Sequence, residues 1–292
     1  MTQQKKEMNM THHNGYAHPE ALVEAEWVQG HLADPTVRLI EVDVDTTAYE
    51  QVHLPGAVGF NWRRDLQDQV MRAPVSKEQL EALLSHAGVS QDTTIVLYGD
   101  NNNWFAAWAF WILKYYGHPD VRLLDGGRLK WLADKRELTT AVPSYPRTSY
   151  AAQAPHNDIR AFRDQILPSL GRSGFALVDV RSPAEYSGQL LAPANLPQEG
   201  AQRGGHIPTA KSIPWSMAVG EDGTFKSADD LRDLYAGNSI TADKEVVAYC
   251  RIGERSAHTW FVLHYLLGYS RVRNYDGSWT EWGSLIEAPI EK

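Results

Sequence analysis

Short apolar runs rich in Val and Ile recur along the chain at residues 39–44, 95–98, 177–180 and 246–249. Runs of four to six residues without sustained polar alternation suit strands buried on both faces. Amphipathic stretches at 77–86, 104–116, 227–234 and 256–267 predict the helices between them. Strand, helix, strand repetition predicts an α/β fold in which each parallel sheet is flanked by helices on both faces. In such sheets ligands bind outside the carboxyl ends of the strands.

The pattern occurs twice. His53-Leu-Pro-Gly-Ala57 matches His206-Ile-Pro-Thr-Ala210, and Trp62 matches Trp215, both 153 positions apart. Farther on, Tyr98 matches Tyr249, Gly117 matches Gly268, Asp125 matches Asp276 and Trp131 matches Trp282, each 151 apart. A register held over more than half the chain indicates a duplicated domain. Upstream the offset is 136, from Asp43 to Asp179, so the second copy carries about 17 extra residues before His206, the stretch 188–205. Its prolines and glycines predict an irregular surface loop, either a rim of the active-site cleft or a neutral insertion. The proline-spaced segment 139–157 reads as a linker. The expected organisation is a loose tail at 1–18, a first domain at 19–138, the linker, and a second domain at 158–292.

Composition narrows the function without choosing it. With 292 residues the chain exceeds the ~250 at which single cores stop growing, in line with two domains. No apolar run approaches the ~18 residues of a membrane span. A net charge of −8 argues against a nucleic-acid partner, so a small anionic substrate has to be gathered by a local basic pocket. A single cysteine rules out an intramolecular disulfide, and the polar first residues do not form a secretion signal. A cytoplasmic protein that does not enter membranes is expected.

That lone cysteine sits in Tyr249-Cys250-Arg251-Ile252-Gly253-Glu254-Arg255-Ser256, at the turn from a buried strand into a helix. A helix start offers unpaired NH groups and the positive end of its dipole. With Arg251 and Arg255 beside it, the thiol is expected to ionise below its ordinary range and to react as thiolate; only Glu254 opposes this. A buried, inert cysteine is the bland alternative. In the first copy Gly99 aligns with Cys250, Asp100 with Arg251 and Trp104 with Arg255, so that copy is expected to be inactive and to complete the cleft from the other side.

A loop whose NH groups, from Ile252, Gly253, Glu254 and Ser256, curl toward sulfur suits attack on an electrophilic sulfur. With a sulfur oxyanion such as thiosulfate as donor, Arg251 and Arg255 can hold its oxygens and the leaving sulfite. The product is a persulfide on Cys250, passed on to cyanide or a thiol in a ping-pong cycle.

Asp179-Val-Arg-Ser-Pro-Ala-Glu-Tyr186, Gly205-His-Ile-Pro208, the Cys250 loop and Tyr275-Asp-Gly-Ser-Trp-Thr-Glu-Trp282, in that order, resemble the tandem-domain rhodaneses, the thiosulfate sulfurtransferases. The resemblance runs from about residue 20 to 289. It implies two α/β rhodanese-like domains, only the second catalytic, with Cys250 as persulfide carrier. The sequence departs from some animal members, which place a lysine where Ile252 stands and an arginine where Glu185 stands. Substrate binding is therefore expected of Arg251 and Arg255, with Arg181 as a further candidate or else a partner of Asp179 or Glu185. Asp179 is expected either to orient the active loop from behind or to cap a turn. His206 is read as structural because its copy His53 recurs without a thiol. Trp279 and Trp282 are read as packing groups, and no metal or cofactor is expected.

Three alternatives accompany thiosulfate sulfurtransferase. A 3-mercaptopyruvate enzyme, as that sister group is known, usually has glycine after the cysteine, where Arg251 stands here. A phosphatase needs five residues between Cys and Arg, and four intervene before Arg255. A sulfur-delivery protein would hand the persulfide to a protein thiol. A monomer is expected, since the linked halves have no obvious need to dimerise.

Overall fold

A computed structural model of the chain describes residues 15–192 and 200–292. Part of the 188–205 insertion and residues 1–14 of the expected tail lie outside the described residues. The first half holds strands β1 (Leu22–Val23), β2 (Val37–Asp43), β3 (Val58–Asn61), β4 (Thr94–Tyr98) and β5 (Val121–Leu124). Its helices are α1 (Ala25–Gly30), α2 (Thr47–Gln51), α3 (Trp62–Asp65), α4 (Lys77–His86), α5 (Asp100–Tyr115) and α6 (Gly127–Ala133). The second half holds β6 (Phe175–Asp179), β7 (Lys211–Ser212), β8 (Glu245–Tyr249) and β9 (Val272–Asn274), with α7 (Arg163–Ile166), α8 (Pro183–Tyr186), α9 (Ala228–Ala236), α10 (Glu254–Phe261) and α11 (Ser278–Trp282).

Both sheets are parallel, ordered β1-β5-β4-β2-β3 and β7-β6-β8-β9. All seven residues of β2 and the last four of β8 are buried, as expected of strands covered on both faces.

The duplication extends to individual hydrogen bonds. Tyr98 Oη accepts from the Leu54 amide at 3.2 Å, and Tyr249 Oη accepts from the Ile207 amide at 3.1 Å. His53 stacks on Tyr49 and lies 2.8 Å from its carbonyl; His206 stacks on Tyr186 and lies 3.0 Å from its carbonyl. These histidines are fixed building parts of each copy.

Tyr16, Ala17 and His18, expected to belong to the tail, are tied down. Tyr16 Oη donates to the Lys226 carbonyl, and the amides of Ala17 and His18 donate to Leu266 and Tyr265. Residues 140–156 form no helix or strand, yet Tyr145 Oη donates to the Gly56 carbonyl and Tyr150 is buried against His118. The segment is therefore strapped along the first half.

One apolar core runs through both halves, from Ile40, Leu97 and Phe110 to Val246, Trp260 and Phe261. At its centre α5 packs on α10, where Phe110 meets Phe261 and Tyr265 edge-on, with ring centroids 5.0 and 4.9 Å away. Such aromatic pairs stabilise by about 1 kcal/mol beyond their burial.

Candidate active site

The strand β8 delivers Cys250 to the carboxyl end of its sheet, and α10 begins four residues later. Gly253 makes the turn possible. Its φ of 104° is left-handed, and a Cβ there would lie 2.6 Å from Trp108 and 3.0 Å from the Asp276 backbone. The loop is pinned from behind by the start of α11. The Cys250 amide donates to Ser278 Oγ at 3.1 Å, while the Cys250 and Arg251 carbonyls accept from the amides of Trp279 and Thr280.

Inside the loop, the Gly253 amide donates to Cys250 Sγ at 3.1 Å, and Glu254 Oε2 lies 3.4 Å from the same sulfur. Ser256 steadies the far side by donating through Oγ to the Gly253 carbonyl. Residues 250–256 are all buried, and Cys250 is 0% exposed. Here the structure departs from the sequence reading of the thiol. Burial, then the Glu254 carboxylate, push the Cys250 thiol above its ordinary range; Arg255 and the amides of Ser256 and Gly253 pull the other way without prevailing. The sequence shows two cations and a helix start, but not how completely the loop closes over the sulfur.

Both outer arginines are held by carboxylates. Arg181 grips Asp179 at 2.6 to 3.1 Å and donates to the Gly205 carbonyl, with both side chains 0% exposed. Asp179 thus holds Arg181 and accepts from its amide, in place of orienting the Cys250 loop directly. The Arg181 guanidinium also lies 4.6 Å from the Trp279 ring, and Trp279 is buried. Arg255 forms a two-pronged pair with Glu185 at 2.9 and 3.0 Å. Burial opposes ionisation of Glu185, but Arg255 and Ser182 together hold its carboxyl below the usual range. The terminal nitrogens expected to grip a donor are thus already engaged, because a guanidinium buried this deeply requires a carboxylate. Arg251 is buried beside the sulfur-bearing residue.

Sequence reasoning missed three contributors. Glu185 serves two purposes: it closes a capping box with Ser182 at the start of α8 and it pairs with Arg255. The Ser182-x-x-Glu185 spacing signals only the first. Trp104 and Trp108 reach in from α5; the Trp104 ring lies 5.6 Å from the Arg255 guanidinium and makes an edge contact with Trp215 at 5.0 Å. The Glu254 carboxylate, read from sequence as the one charge opposing thiolate formation, lies against the sulfur itself.

The matching loop of the first half is filled differently. Gly99 stands in the place of Cys250, and a Cβ there would lie 2.4 Å from the Val42 carbonyl and 2.9 Å from Asp43 Oδ1. Asn101, Asn102 and Asn103 carry positive φ of 52°, 52° and 65°, a conformation asparagine tolerates better than most residues. Asn103 accepts from the Gly99 amide and donates to the Leu124 carbonyl, so side-chain amides occupy the turn. The loop docks the second half: Gly223 lies against Asn102 and Gly126, and Asp125 accepts from the Phe225 amide at 2.9 Å.

Asp43 accepts from the Asp100 amide at 2.7 Å, and burial, with Glu41 and Asp100 adding, pushes its carboxyl up to about 8. The folded chain therefore keeps a proton that the unfolded chain loses near pH 4, and this part of the stability declines as pH rises from about 4 to about 8. Asp43→Asn keeps the Oδ1 acceptor and removes the liability. Its melting temperature should exceed the wild-type value by at least about 3 °C at pH 8, with the gap closing toward pH 4.

Two parallel α/β sheets with a cysteine loop on only the second describe a duplicated fold with one thiol centre. The family model "Rhodanese-like domain" matches twice, over residues 24–134 and 164–285, and the chain belongs to that family. It is 56% identical over 283 residues to "Sulfur carrier protein TtuD" of Thermus thermophilus, covering 95% of this chain and 99% of the relative. It is 56% identical over 278 residues to a "Putative thiosulfate sulfurtransferase" of Haloferax volcanii, covering 94% and 96%. A solved structure of an EanB variant carrying a cysteine persulfide with ergothioneine superposes with a TM-score of 0.82 at 27% identity, covering 95% of this chain and 71% of that one.

Proposed function

We propose that the chain is a sulfurtransferase that accepts the sulfane sulfur of thiosulfate on Cys250 and passes it, from the persulfide, to cyanide, a small thiol or a protein thiol. The observation that carries the reading is a single thiol at a strand-to-helix turn whose sulfur accepts the Gly253 amide, with the helix start of α10 and the Arg255 charge behind it. A relative named for thiosulfate transfer and a similar fold solved with a cysteine persulfide support it. Arg251, with the charge of Arg255, is the group assigned to the donor's oxygens. Because the loop is closed, donor entry requires the covering side chains to move aside.

A second reading, a carrier that loads sulfur and delivers it to a partner protein, is favoured by the similarity to TtuD. The chemistry at Cys250 is the same and only the acceptor differs. Steady-state comparison of thiosulfate with 3-mercaptopyruvate, followed by an acceptor panel of cyanide, glutathione, thioredoxin and carrier proteins, tests both. A kcat/KM at least about tenfold higher for thiosulfate is expected. Preference for mercaptopyruvate would replace the donor assignment. Rapid transfer only to a protein thiol would select the carrier reading.

A further inference from the structure

Glu254 is an unusual neighbour for a nucleophile that is supposed to carry negative charge. Its side chain is buried, Oε2 lies 3.4 Å from Cys250 Sγ, and Oε1 has no hydrogen-bond partner among the described residues. The Arg255 Nε lies 3.8 Å from Oε1, too far for a hydrogen bond, while both terminal nitrogens of Arg255 are held by Glu185. A carboxylate removed from water needs a proton or a donor, and the thiol is the donor the loop supplies. If both sulfur and Glu254 were ionised, two negative charges would lie within 3.4 Å in a buried loop before a doubly charged donor arrived.

Resting on the sulfurtransferase reading, we infer that Glu254 is a catalytic residue: its Oε2 takes the proton from Cys250 Sγ as the sulfur attacks, and returns it when the cycle closes. In the first half-reaction the Sγ–H bond breaks toward Oε2 and a bond forms between Sγ and the sulfane sulfur. The sulfur–sulfur bond of thiosulfate breaks, and its electron pair leaves on sulfite. In the second, cyanide or a thiolate attacks the outer sulfur. The bond from Sγ breaks, its electron pair returns to Sγ, and Sγ recovers the proton from Glu254. One proton is shared throughout, so the loop never holds thiolate and carboxylate together.

This division of labour fits the position of the thiol above its ordinary range. The charged groups acting on the sulfur are Glu254 and Arg255 from α10, with Glu185 of α8 behind Arg255 and the buried Arg251 next to Cys250 in the chain. Farther round the loop, Arg72 donates to the Ile252 carbonyl at 3.4 Å and Asp276, paired with Arg160, lies against Gly253, while Ser278 of α11 and Trp108 of α5 carry no charge.

Glu254→Gln is nearly isosteric and separates proton transfer from mere charge. Single-turnover sulfite release from thiosulfate should be almost independent of pH in the wild type between about pH 6 and 8. In the variant it should be at least about tenfold slower at pH 6 and rise with pH along the thiolate absorbance titrated on the same protein. A variant as fast as the wild type at pH 6, or faster, overturns the inference, since removing a repelling charge alone would speed the attack. Difference infrared spectroscopy of the wild type gives a check that needs no variant. Loading with thiosulfate should raise a protonated-carboxyl band; persulfide formation without that band also overturns the inference. Failure of the wild type to release sulfite or form a persulfide would instead sink the sulfurtransferase reading.

Discussion

Cys250→Ser should take up no sulfur from thiosulfate, and its intact mass should stay unchanged under conditions in which the wild-type protein gains one sulfur atom. Transfer to cyanide is expected to fall by at least about a thousandfold, because a serine hydroxyl does not ionise near neutral pH and cannot form a persulfide. The fold should survive, since the loop is organised by groups that the substitution leaves intact. The Cys250 amide still reaches Ser278 Oγ, its carbonyl still accepts from Trp279, and Gly253 keeps its left-handed turn. Unchanged circular dichroism and thermal melting would confirm that the loss is chemical. Sulfur uptake by the serine variant would mean that another group carries the sulfur, and the assignment of Cys250 would fall.

The second large effect is on stability. Asp179→Ala should destabilise the protein by about 3–5 kcal/mol, because it leaves the Arg181 guanidinium charged and buried with, among the described residues, the Gly205 carbonyl as its close acceptor. Denaturant unfolding measures this directly. Replacing both partners with apolar residues, as in Asp179→Leu with Arg181→Met, should cost much less than the single change, since no uncompensated charge then remains. If the single variant were as stable as the double, the pair would not be the anchor that its geometry describes. Arg181 also ties the end of the second-half insertion to β6, so Asp179→Ala should increase proteolysis near Gly205.

Much of the architecture was legible because it depends on periodicity, which a linear chain displays openly. The apolar runs ending at Tyr98 and Tyr249 became the central strands, and the matched His53 and His206 proved to be matched stacking partners of Tyr49 and Tyr186. The position of Cys250 at a strand end was legible for the same reason. What the chain did not display was the pairing of charges distant in sequence. Arg255 and Glu185 are 70 positions apart, and nothing near either one marks the other. Arg181 and Asp179, only two apart, could be suggested as partners but not established as buried ones. The direction of the thiol's shift was not legible for a related reason: burial, and how closely the Glu254 carboxylate folds back onto the sulfur, are set by the three-dimensional fold. The contribution of Trp104 and Trp108 was equally hidden, because their pattern on α5 is that of ordinary core residues.

The continuous core around α5 and α10 sets a limit on how this duplicated chain can change. The first copy carries no thiol and, at Gly99, no space for a side chain, yet its tryptophans hold up the turn that positions the other copy's sulfur. Removing the first copy would strip that support from the turn. The unit that presents the thiol is therefore the fused pair, and neither half is a spare.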